Sequence, residues 1–114
     1  MESILTSIKK LLGPEEAYEH FDTDIIVHIN TALMRLRRLG VGPKEGFLIE
    51  DSSAMWSDFL GDDPRLEGVK TYVYLRVKLL FDPPTSSAVL QSFKETINEL
   101  EWVLNDTAEY DPME

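Results

Sequence analysis

The feature that most constrains this chain is the segment from Pro64 to Phe81, which is apolar on most of its sides at helical spacing. Leu66, Val69, Val73, Val77 and Leu80 recur at intervals of three and four, and Tyr72, Leu75, Leu79 and Phe81 widen that face. The polar stripe is only Glu67, Lys70, Thr71 and Lys78, with Tyr74 between. A helix with so little polar surface needs neighbours on several sides, so the segment predicts the centre of a helical bundle. The β-branched residues and tyrosines of 71–77 suit a strand locally, but the run is too long and alternates too poorly for one. Asp63 as cap and Pro64 at the first helical position mark its start, because a proline there loses no hydrogen bond. Asp82-Pro83-Pro84 ends it.

Four other segments carry the same period. Ser3 caps a helix to Leu12, with Ile4, Ile8 and Leu11 on one face and Gly13-Pro14 as its stop. Residues 15–21 read as a linker with room for one helical turn. Asp22 or Thr23 starts a second helix reaching about Leu39, with Ile25, Ile29, Ala32, Leu33 and Leu36 as its stripe and Gly40 just past its end. After a turn-rich connection, Phe47, Leu48 and Ile49 suggest a short strand or hairpin near residues 47–50. Ser52 or Ser53 then caps a short helix containing Met55, Trp56, Phe59 and Leu60. Thr85, Ser86 or Ser87 caps the last helix, which runs to about Leu104. Leu90, Phe93, Ile97, Leu100 and Leu104 are its core face, with Glu95, Asn98 and Glu101 facing away. The expected fold is all-α: a bundle of three long and two short helices in one domain over residues 1–104, followed by a flexible acidic tail, 105–114.

With 114 residues there is material for one core and not two. The N-terminus lacks the order of a signal peptide, and no apolar run approaches the roughly 20 residues that span a bilayer, so no membrane role is expected. The absence of cysteine excludes disulfides and thiolate metal sites. The net charge of −10 argues against nucleic-acid binding by the general surface, which needs Lys and Arg to neutralise phosphates. That charge is uneven. Residues 70–81 carry three basic groups and no acidic one, while residues 82–114 carry one basic and eight acidic groups. A positive island in an acidic chain suggests complementarity within one molecule or between copies.

No catalytic motif is present: no phosphate loop, no G-x-G-x-x-G and no G-x-S-x-G elbow. Asp24 and His28 share a helix face, but two ligands do not make a metal site, and a surface ion pair is the favoured reading. Glu95, Glu99 and Glu101 read as a solvated face rather than as acid–base groups, which need burial to shift their pKa. Asp58, beside Trp56 and Phe59, reads as a cap or ion-pair partner. Arg35, Arg37 and Arg38 suit the C-terminal end of a helix dipole better than a nucleic-acid stripe. No enzyme and no cofactor are expected.

Trp102 is the most informative side chain. At 100° per residue it points away from Phe93, Ile97, Leu100 and Leu104. A tryptophan on a polar face is covered either by the chain itself or by a partner, and tryptophan is enriched among interface anchors. Val103 extends the same patch. Tyr74, Trp56 and Phe47 complete the set of interface candidates, with core packing the favoured role for Trp56 and Phe47.

Several stretches resemble small prophage proteins of Gram-positive bacteria. They are Leu39-Gly40-Val41-Gly42-Pro43, Gly46-Phe47, Ile49-Glu50-Asp51 and Trp56-Ser57-Asp58-Phe59. Val69-Lys70-Thr71-Tyr72-Val73-Tyr74-Leu75 and Leu79-Leu80-Phe81-Asp82-Pro83-Pro84 are similar too, as is the opening run from Ile4 to Leu12. These are proteins of the head–tail connector, or adaptor, family. The resemblance implies a helical subunit that assembles with itself as a ring at the virion neck, between the portal protein and neck, stopper or tail proteins. It implies DNA only as cargo passing through the channel, assembly in the host cytoplasm, and no catalytic residue. The alternative from the residues alone is a small cytoplasmic regulatory module that binds another protein.

Overall fold

A computed structural model of the protein describes residues 2–13 and 20–109. Among the described residues there are five helices: α1 (Ile4–Leu12), α2 (Asp22–Arg38), α3 (Trp56–Leu60), α4 (Leu66–Phe81) and α5 (Ser87–Glu109). No strand occurs among them, so the fold is all-α. The expected linker lies mostly outside the described residues, as does 110–114. The last helix continues to Glu109, five residues past the expected end at Leu104.

α4 is the hub, packed against α1, α2 and α5. Val69, Tyr72, Val73 and Val77 on it have no exposed surface. They meet Ile29, Ala32, Leu33 and Leu36 of α2, Ile4 and Ile8 of α1, and Ile97 and Leu104 of α5 in one core. Each fully buried Val, Ile or Leu contributes about 1.5–3 kcal/mol, more than an exposed ion pair at about 0–1 kcal/mol. The apolar faces therefore set the architecture and the charges refine it. Leu11 and Leu80, expected on core faces, are 51% and 54% exposed. Both lie in the last turns of their helices, where periodicity says which way a side chain points but not whether a neighbour extends that far.

The helix ends follow local chemistry. Ser3 Oγ accepts from Thr6 N–H and caps α1 as expected. α2 has no side-chain cap; the Asp22 carboxylate lies 2.7 Å from Lys9 Nζ instead, tying α2 to α1. At its other end Gly40, with φ +85°, lets Gly40 N–H reach Arg37 O and Val41 N–H reach Leu36 O. Val41 and Leu36 are both fully buried there, the apolar contact that accompanies this double cap. α3 is capped by Asp58, which accepts from Met55 N–H. Ser53 is not the cap; its N–H and hydroxyl both donate to Asp51. α4 begins at Leu66, and Asp63 Oδ1 accepts from Arg65 N–H just ahead of it.

Residues 47–50 form no strand. The Asn30 side chain does the work a partner strand would do: its amide donates to Ile49 O at 3.0 Å and its carbonyl accepts from Ile49 N–H at 2.8 Å. The pairing that does form joins the chain start to the approach to α3, with Ile4 N–H donating to Ala54 O and Trp56 N–H to Glu2 O. No helix among the described residues is long and apolar enough to cross a membrane.

Candidate protein interface

α5 packs on α4 through Ile97 and Leu104, and this fixes which of its residues face outward. Trp102 lies about 160° from Leu104 around the helix and is 69% exposed. Val103, beside it, is 46% exposed. These two of the five candidates form an exposed apolar pair. Trp56 is only 3% exposed, and its indole N–H donates to Ser7 Oγ at 2.8 Å. Its ring is therefore spent on the core rather than on a surface. Phe47 is half-buried against Phe59, with ring centroids 5.3 Å apart. Tyr74 is half-buried on α4 and also packs on the core.

Glu101 corrects the sequence reading. Expected to face solvent, it turns inward between α2 and α4. Its Oε2 accepts from the Tyr72 hydroxyl at 2.6 Å and from Arg76 at 3.3 Å. Arg35 reaches both carboxylate oxygens, at 3.1 and 3.2 Å. The Arg76 guanidinium also sits over the Tyr72 ring, 5.7 Å from its centroid. Burial pushes the Glu101 carboxyl up, but the hydrogen bonds from Arg35 and Tyr72 and the positive charge of Arg35 and Arg76 outweigh it and hold it below its ordinary value. Burial and the bond to Glu101 push the Tyr72 hydroxyl up. At neutral pH the carboxylate is charged and the phenol is protonated. Every donor in the cluster is aimed at one acceptor, so the cluster clamps three helices together. It fixes the roll of α5 on α4 and α2, and the next residue, Trp102, is thereby presented to solvent.

The positive island is consumed inside the molecule. Lys70 pairs with Glu2, Arg76 with Glu101 and Lys78 with Asp82. Of the arginines ending α2, Arg35 holds Glu101 and Arg37 donates to Lys44 O. Asp24 and His28 form no ion pair with each other among the described residues, and no group of three or more metal-ligating side chains occurs among them.

Sequence reasoning missed two exposed apolar residues, Val27 and Met34 on α2, at 55% and 59% exposure. Their signal was present: they stand seven residues apart, on the side opposite Ile25, Ile29, Leu33 and Leu36.

No curated protein and no solved structure matches the chain. The family model described as phage connector protein matches residues 4–111. The match spans α1 to α5, and with a helical bundle whose outward α5 face carries unsatisfied apolar surface, the conclusion is that this chain belongs to the phage connector protein family and is a structural component of the virion.

Proposed function

We propose that this protein is a subunit of a ring between the portal and the tail, and that the ring extends the channel through which DNA passes. Family membership supports a connector that meets other head and tail proteins. The observation that carries the finer reading is Trp102. A 69% exposed tryptophan on an ordered helix is a standing cost in water and a strong anchor once covered. A closed ring needs two different surfaces that complement each other on one molecule, and it needs no catalytic site. The net charge of −10 suits a channel whose wall does not hold DNA, because like charges repel.

Cryo-electron microscopy of the virion neck tests this. The expected result is a ring of repeated α1–α5 bundles around a continuous channel below the portal. A neck whose density contains no such bundle overturns the reading.

A further inference from the structure

α2 and α5 each pack against α4 and each turn one side away from it. On α2 the outward stripe is Val27, Thr31, Met34 and Arg38, all exposed and spaced four, three and four residues apart. On α5 it is Glu95, Glu99 and Trp102, also exposed and spaced four and three. The first stripe is apolar with a basic end; the second is acidic with an apolar end. Neither Arg38 nor Glu99 has an ion-pair partner among the described residues.

We propose that the outward face of α2 on one copy docks on the outward face of α5 on the next, with the two helices antiparallel. This rests on the ring reading above and names the surfaces that would close it. The register follows from helix geometry. Arg38 stands about 6 Å along α2 from Met34, and Glu99 stands about 4.5 Å along α5 from Trp102. With the helices antiparallel, seating Trp102 on Met34 brings Arg38 opposite Glu99. In a parallel arrangement the two charges point to opposite ends and do not meet. Methionine suits the contact because its unbranched, polarisable side chain fits against an aromatic ring. The contact is head-to-tail: each copy gives α2 to one neighbour and α5 to the other, so contacts propagate instead of stopping at a dimer. Two α5 faces would set Glu95 and Glu99 against their own copies, so like charge disfavours the symmetric pairing.

The chain has no cysteine, so a pair of introduced cysteines reports this contact without background. R38C/E99C keeps Met34 and Trp102 in place. It is oxidised both as concentrated purified protein and in assembled particles, beside the single variants R38C and E99C. The expected result is a ladder of covalent multimers from the double variant and none from either single. Dimers from E99C alone mean a symmetric contact and overturn the proposal. A double variant that stays uncrosslinked in particles whose necks still show the ring also overturns it, with the ring reading intact. An uncrosslinked variant in necks that show no ring, alongside wild-type necks without one, removes the ring reading and this proposal together.

Discussion

The Tyr72 hydroxyl donates a 2.6 Å hydrogen bond to Glu101, joining the central helix α4 to the helix that carries the exposed tryptophan. The same carboxylate receives Arg76 from α4 and Arg35 from α2, so one acidic side chain sets the relation of three helices. Removing it leaves a buried phenol and the Arg76 head without their acceptor. Glu101→Ala should therefore cost about 1–3 kcal/mol, with most of the loss from Tyr72 and Arg76, because Arg35 is half-exposed and screened. Urea denaturation measures it, and Glu101→Gln, which keeps an acceptor for Tyr72, should lose less.

The pH dependence has a definite sign. The Glu101 carboxyl is held below its ordinary value of 4.5, so its contribution is fully present above that pH and is lost as pH falls through the lower folded value. Asp63, held below 3.8 by Arg65, acts in the same direction. Thermal melts from pH 7 downward should show stability falling below about pH 4.5, and Glu101→Gln should flatten that part of the curve.

Tyr72 behaves oppositely. Its folded pKa is raised by burial and by Glu101, so its contribution is present below its ordinary value of 10.0 and is lost as pH rises above it. A spectrophotometric titration of the folded protein should show a late tyrosine step, above the ordinary value of 10.0. Tyr72→Phe should remove that late step.

Gly42 has φ +88°, and an added Cβ would fall 2.3 Å from Phe59 Cε1. Both the backbone and the ring oppose a side chain there. Gly42→Ala should cost roughly 1–3 kcal/mol, read as a lowered Tm, because the strained conformation and the clash add.

The two tryptophans separate fold from surface. Trp56→Ala empties a core site and should cost about 3–5 kcal/mol. Trp102→Ala touches little of the folded chain and should change stability by no more than about 0.5 kcal/mol. In the single-tryptophan proteins Trp56→Phe and Trp102→Phe, iodide should quench the emission of Trp102 strongly and that of Trp56 weakly.

The bundle was legible because each helix carries its own periodic stripe. The segment 64–81 declared itself the hub by its lack of a polar face, and Gly40 marked the end of α2 by its place after the arginines. Glu101 was not legible. Its partners Tyr72, Arg76 and Arg35 lie 29, 25 and 66 positions away, and the periodicity of one helix holds no information about donors on two others. The Asn30 clamp on Ile49 was hidden for the same reason, and Phe47-Leu48-Ile49 read as a strand because extended backbone and strand share a composition. Trp102 was legible because it broke the pattern of its own helix, whereas Trp56 agreed with the pattern of its own and proved to be core.

The most direct measurement is deletion of the gene from its parent genome, with electron microscopy of the particles that form. The account predicts filled or emptied heads beside separate finished tails, with whole virions restored when the gene is supplied in trans. Normal infectious virions without the gene would contradict it.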